Sequence, residues 1–132
     1  MAWYLDTSAL TKLVASEQES PELQAWLNGR TIATSELSLV ELLRAARRYS
    51  NDASARAEEL LADTHLIVLN LGILRAAAAL LPPELRSLDA IHVASALSLG
   101  SDCEGMITYD RRMQEAARHA GLTVESPGAT AS

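Results

Sequence analysis

The chain has 132 residues, 48% of them hydrophobic, and a formal net charge of −6 at pH 7. That length and apolar content exclude a disordered chain and allow one domain with a real core, while a single cysteine, Cys103, excludes an internal disulfide and a cysteine zinc cluster and suits a reducing cytosol. The acidic balance excludes nucleic-acid binding by bulk charge, so any such role needs local arginines and bridging cations.

In chain order, bulky Trp3, Tyr4 and Leu5 predict a short buried strand ending directly before Asp6. Thr7 and Ser8 follow, then a short helix over Ala9 to Ala15 with apolar Leu10, Leu13 and Val14. Ser20 is expected to cap a second helix, with Pro21 and Glu22 in its first turn, Leu23, Trp26 and Leu27 on its apolar face and Asn28-Gly29 at its end. Thr31 to Thr34 predicts a second strand. Ser35 is expected to cap a long helix carrying Leu39, Leu42, Leu43 and Ala46, with Glu41 in its second turn. After a Ser50-Asn51-Asp52 turn, alanine-rich 53–62 predicts a helix packed back on the previous one. His65 to Leu69 predicts a buried third strand, and Ile73 to Leu81 a helix stopped by Pro82-Pro83. The stretch Leu74 to Leu81 is the longest apolar one, yet it contains Arg75 and is too short to span a bilayer. With no basic leader ahead of an apolar core, a soluble cytoplasmic protein is expected.

Ser87 is expected to cap the next helix, with Asp89 in its first turn, Ile91, Ala94 and Leu97 facing the core, and Gly100 at its end. Met106 to Tyr109 predicts a fourth strand followed at once by Asp110, then a helix over Arg111 to Ala120 closed by Gly121, and a last strand over Leu122 to Val124. Strands alternating with helices predict an α/β fold of three layers, a central parallel sheet flanked by helices. The domain is expected over residues 1–125, with a frayed polar tail over 126–132.

Asp6 and Asp110 each follow a predicted strand, and Asp89 and Glu41 sit in early turns of helices, which begin at the same carboxyl edge of a parallel sheet. The four acids therefore converge on one pocket. Carboxylates so close need a cation to stay ionised, and oxygen-only ligands point to Mg²⁺ or Mn²⁺. Such ions activate water in phosphodiester cleavage. A structural role also accounts for each acid taken singly: Asp89 as a dipole partner, Glu41 in an i,i+3 ion pair with Arg44, Asp6 and Asp110 as helix caps. Thr7 and Ser8 offer hydroxyls and amides to a phosphate, or are an ordinary helix start. Arg86, Arg111 and Arg112 flank Asp89 and Asp110 and are candidates for holding phosphates. A solvated helix face explains Arg44, Arg47 and Arg48 equally well. His92 shares Asp89's side of its helix, though a partly buried structural histidine is the commoner outcome; His65 and His119 are expected at the surface.

Four segments carry a family resemblance: Leu5-Asp6-Thr7-Ser8-Ala9-Leu10, Ser38-Leu39-Val40-Glu41-Leu42, Leu88 to Ala96 around Asp89 and His92, and Thr108-Tyr109-Asp110-Arg111-Arg112-Met113. In that order they resemble the motifs of PIN-domain ribonucleases, and the length resembles a VapC-type toxin of a toxin–antitoxin pair. The resemblance implies a PIN-like fold and a metal-dependent endoribonuclease with Asp6, Glu41, Asp89 and Asp110 around Mg²⁺ or Mn²⁺. It also implies a hydroxyl role for Thr7, Ser8 or Thr108 near the acids. An RNA substrate, a homodimer and silencing by a small cognate antitoxin follow from it, as does attack of a metal-activated water that leaves a 5′-phosphate.

Three rivals share parts of this pattern. A haloacid-dehalogenase-type phosphatase wants a second acid two residues after the first and a later lysine; here Ser8 holds that position and no lysine follows Lys12. A phospho-receiver domain wants the same late lysine. A non-catalytic RNA- or protein-binding module of the same fold has no need of the intact acid set.

Overall fold

The computed structural model describes residues 1–130. Five strands, β1 (Ala2–Leu5), β2 (Ile32–Ser35), β3 (His65–Ile67), β4 (Cys103–Ile107) and β5 (Val124–Glu125), form one sheet in the order β3-β2-β1-β4-β5. Every pairing is parallel. Helices α1 (Thr7–Val14), α2 (Ser20–Leu27), α3 (Glu36–Tyr49), α4 (Asn51–Ala62), α5 (Leu71–Ala79), α6 (Ser87–Ser98) and α7 (Arg111–His119) cover it. The period of two along β1 divides the core. Trp3 and Leu5 pack with Leu10, Leu23, Leu42 and Ala57 from α1 to α4, whereas Tyr4 packs with Ile73, Val93 and Met113 from α5 to α7. Among the described residues no helix is long and apolar enough to cross a membrane.

The chain runs outward from β1 to β2 and β3, then returns to place β4 on the other side of β1. That reversal opens a crevice at the carboxyl ends of β1 and β4, where open α/β sheets hold ligands. Asp6 follows β1 there, and Thr108 to Asp110 follow β4.

Several local expectations are corrected. β4 ends at Ile107, before Thr108 and Tyr109, because the Thr108 carbonyl accepts from Ser126 Oγ at 2.6 Å and from Gln114 Nε2 at 3.1 Å. β3 is a short edge strand rather than a buried one, and Val68 beyond it is 65% exposed. Ser20 and Ser87 are first helical residues, not caps. Ser20 Oγ instead accepts from Glu17 N–H and donates to the Ala15 carbonyl. Ser35 stands at the cap of α3, but its hydroxyl makes no cap bond and faces Tyr4. On α6 the buried face is Ala90, Val93, Ala94 and Ala96, with Ile91 and Leu97 half-buried. Asp89 and His92 are buried on the same helix.

Where a frayed tail is expected, Tyr109 Oη donates to the Pro127 carbonyl at 2.7 Å and Ala129 N–H to the Ser126 carbonyl at 3.0 Å. The rest of that expectation, at 131–132, lies outside the described residues.

Candidate active site

Asp6 is 1% exposed, and each of its carboxylate oxygens has a partner. Oδ1 caps α1 by accepting the Ala9 N–H at 3.0 Å and also accepts the Ser8 hydroxyl at 2.7 Å. Oδ2 accepts the Thr108 hydroxyl at 2.6 Å. Burial pushes the Asp6 carboxyl above its ordinary value, while the donors from Thr108, Ser8 and Ala9 work against that shift. One further bond ties the β1 and β4 loops together, from Tyr109 N–H to Ser8 Oγ at 3.1 Å, and within the β4 loop Asp110 N–H donates to Thr108 Oγ1 at 3.2 Å. The capping expected of Asp6 is thus observed, just beyond the carboxyl end of β1.

Asp110 divides its oxygens in a similar way. Oδ1 caps α7 through the amides of Arg112 at 2.9 Å and Met113 at 3.2 Å. Oδ2 faces Arg86, whose guanidinium joins it at 3.3 Å to Asp89 Oδ2 at 3.0 Å. Arg86 is the residue just before α6, so its side chain reaches both the first turn of its own helix and the start of α7. It is 63% exposed, whereas the side chain of Asp89 is 11% exposed.

Glu41 is oriented from two sides and forms no ion pair with Arg44 among the described residues. Thr7 Oγ1 donates to its Oε1 at 2.6 Å, and His92 Nε2 lies 2.8 Å from the same oxygen. Burial works to raise the Glu41 carboxyl, but the bonds from His92 and Thr7 outweigh it, and the group sits below its ordinary value. His92 is itself buried, with Nδ1 2.8 Å from the Tyr4 hydroxyl, which lies 3.1 Å from Ser35 Oγ. A carboxylate only accepts, so a proton on Nε2 points at Glu41, and the Tyr4 hydroxyl donates to Ser35 Oγ. Burial pushes the Tyr4 hydroxyl up to about 12, which keeps that proton in place near neutral pH.

The sequence underweights His92, Tyr4 and Ser35. The three-residue spacing of Asp89 and His92 is the signal for the first. Nothing in the sequence reveals Tyr4 and Ser35, because they meet only through the pairing of β1 and β2. Arg112 reaches Asp110 by its backbone amide, while its side chain lines a separate groove with Leu81, Leu85 and His119. Arg111 is exposed at the start of α7 and lines a third groove with Tyr109 and Gln114.

As the side chains stand, no group of three or more acidic, histidine or cysteine residues among the described ones is closed around a single ion position. The donor chemistry nonetheless suits a hard divalent cation. The ligands on offer are carboxylate oxygens, Asp6 carries a desolvation cost that a nearby cation relieves, and Asp89 and Asp110 already share a positive charge in the Arg86 guanidinium. Because Arg86 is exposed, its displacement releases both Oδ2 atoms without disturbing packing.

The PIN domain family model matches residues 3–119. Ribonuclease VapC47 of Mycobacterium tuberculosis (strain CDC 1551 / Oshkosh) is 41% identical over 132 residues, covering 96% of this chain and 97% of its own. A toxin–antitoxin complex from Klebsiella pneumoniae has a chain of similar structure, with a TM-score of 0.71 and 25% identity, covering 95% of this chain and 97% of that one. The Mycobacterium tuberculosis VapC20 structure, described as a Sarcin-Ricin loop cleaving toxin, has the same fold, with a TM-score of 0.74 at 17% identity over 96% of this chain and 100% of that one.

Proposed function

The chain belongs to the PIN-domain family and, within it, to the VapC ribonucleases, and on that premise we propose how its acids carry out RNA cleavage. The protein is a divalent-metal-dependent ribonuclease, the toxin of a toxin–antitoxin pair. Its nuclease domain spans residues 1–125, and Asp6, Glu41, Asp89 and Asp110 hold Mg²⁺ or Mn²⁺. The observation that carries this reading is the buried Asp6 at the β1/β4 crevice, tied through Thr108 to the loop of Asp110, which Arg86 joins to Asp89. A divalent cation bound there supplies an activated water and stabilises charge at the scissile phosphate.

The chain's own residues set that position. Ser8, Ala9 and Thr108 fix the Asp6 carboxylate, and Thr7 and His92 keep Glu41 ionised and aimed. Arg86, once displaced from Asp89 and Asp110, is free to pair with a phosphate oxygen, and Arg111 and Arg112 hold phosphates further out. The RNA is the substrate and a small cognate antitoxin the silencing partner. Ser8 stands where a phosphatase of the haloacid-dehalogenase type places its second acid, and here it donates to Asp6.

Purified antitoxin-free protein is incubated with structured RNAs and Mg²⁺ or Mn²⁺, with and without chelator. Cleavage is expected with metal and lost in chelator and in Asp89→Asn, whose fold is retained. Cleavage undiminished by chelator overturns the reading.

A further inference from the structure

Along α3 the residues after Glu41 form a charged row. Arg44 and Arg48 follow Glu41 at i+3 and i+7, about 4.5 and 10.5 Å further along the helix axis, and Arg47 stands beside them. With Thr7, Glu41 and the 54%-exposed Val40, these arginines line a groove of about 620 Å³. Its inner end is therefore the Glu41 corner of the active site. Its volume is that of a small-ligand site and accommodates a short stretch of single strand.

The side chains of Arg44, Arg47 and Arg48 make no ion pair or hydrogen bond among the described residues. Those of Arg75, Arg112 and Arg118 make none either, but they stand singly on α5 and in two different grooves of α7, whereas this row sets three such arginines together beside Glu41. The remaining cations are engaged. Lys12 pairs with Glu17 and Glu19, and Arg86 with Asp89 and Asp110. Arg30 stacks on Trp26, and Arg56 donates twice to the Val14 carbonyl. Like charges at i,i+3 and i,i+4 repel on a helix. The helix dipole accounts for Arg47 and Arg48 in the last turn but leaves Arg44 unexplained. Glu41, its natural partner, is turned to His92 and Thr7 instead. Three unneutralised guanidiniums in a chain of net charge −6, beside an exposed apolar side chain, suit a strand of phosphates with bases or sugars against Val40. A backbone of repeated phosphates matches guanidiniums repeated along one helix face, and an acidic peptide is the alternative that the antitoxin arm of the test separates.

We propose that the groove lined by Arg44, Arg47 and Arg48 binds the phosphodiester backbone of single-stranded RNA as it leaves the catalytic acids. The assignment rests on the ribonuclease reading above, and its test is separate because it needs no cleavage. The full chain is titrated in chelator against a fluorescent oligouridylate, and anisotropy gives affinity as a function of salt. Each contacted phosphate contributes about 0.7 to the slope of log affinity against log salt, so replacing all three arginines with alanine lowers the slope by about 2. That difference amounts to roughly 20-fold in affinity between about 50 and 200 mM salt. Alanine favours helix, so the variant is expected to melt like wild type.

The triple lysine variant keeps most of the slope, and Arg75→Ala on α5 keeps all of it. An unchanged slope in the folded alanine variant, or no binding by wild type, overturns the proposal. Unchanged RNA binding together with lost inhibition by the cognate antitoxin also overturns it and assigns the groove to that protein. A chain that binds RNA through these arginines yet cleaves nothing with Mg²⁺ or Mn²⁺ supports the groove and contradicts the catalytic reading.

Discussion

Replacing Thr108 with valine removes one hydroxyl from the centre of the site. Thr108 is fully buried, and its Oγ1 donates to Asp6 Oδ2 at 2.6 Å while accepting Asp110 N–H at 3.2 Å. Asp6 is 1% exposed, so water cannot replace the lost donor. A hydrogen bond to a charged group contributes about 1.5–3 kcal/mol, and the half-buried Asp110 amide adds up to about 1 kcal/mol more. The expected loss is about 2–4 kcal/mol. At about 4 °C per kcal/mol for a chain of this size, Tm falls by roughly 8–16 °C. Urea melts in chelator near neutral pH measure it, in wild-type and Asp6→Asn backgrounds. Asn keeps Oδ1 for Ser8 and Ala9 and turns its amide to Thr108 Oγ1, so the bond there becomes a neutral one of about 1 kcal/mol. The two substitutions therefore couple by about 1–2 kcal/mol. A Thr108→Val protein within about 0.5 kcal/mol of wild type, or an equal loss in both backgrounds, would refute the role given to this hydroxyl.

The raised carboxyl of Asp6 sets a pH dependence. Between its ordinary value of 3.8 and its higher folded-state value the folded chain holds more protons than the unfolded one, so metal-free stability falls as pH rises through that window. Urea midpoints against pH in chelator should show this slope in wild type and not in Asp6→Asn; identical curves contradict it. Arg86→Ala removes the positive charge shared by Asp89 and Asp110, and is expected to tighten Mn²⁺ binding severalfold while weakening RNA binding. Calorimetry and anisotropy decide that, and weaker Mn²⁺ binding would count against competition between guanidinium and cation. Asp110→Asn should lower cleavage and metal affinity, whereas Asp102→Asn should change neither. Asp102 lies ahead of the five-residue β4, about 16 Å from that strand's far end at roughly 3.3 Å per residue. Damage from the Asp102 change would misplace the pocket.

The alternation of strands and helices was legible because β1 is buried on both sides and reads as a continuous bulky run, with Asp6 stopping it. Asp110 is legible as the acid after the fourth strand: β4 stops at Ile107, two residues short of the expected end, yet Asp110 still lies beyond that strand's carboxyl end, where it also caps α7. Side-chain capping was read less well. Ser20, Ser35 and Ser87 have the right composition for caps, yet tertiary partners or one-residue shifts decide what they bond. On α6 the expected Ala94 is buried and Ile91 and Leu97 pack half-buried against the core, but Ala90, Val93 and Ala96 add a buried face that a count of large apolar residues does not mark. The Tyr4–His92–Glu41 chain joins residues 88 and 51 positions apart, and such separations leave no local pattern.

If these carboxylates hold a divalent cation, the buried Asp6 is the residue whose charge such binding needs most. Electron paramagnetic resonance of free Mn²⁺, titrated into wild type and Asp6→Asn of equal helicity, tests it most directly. Wild type should take up Mn²⁺, and Asp6→Asn should bind it at least ten-fold more weakly. Equal Mn²⁺ uptake by the two folded proteins would contradict the account.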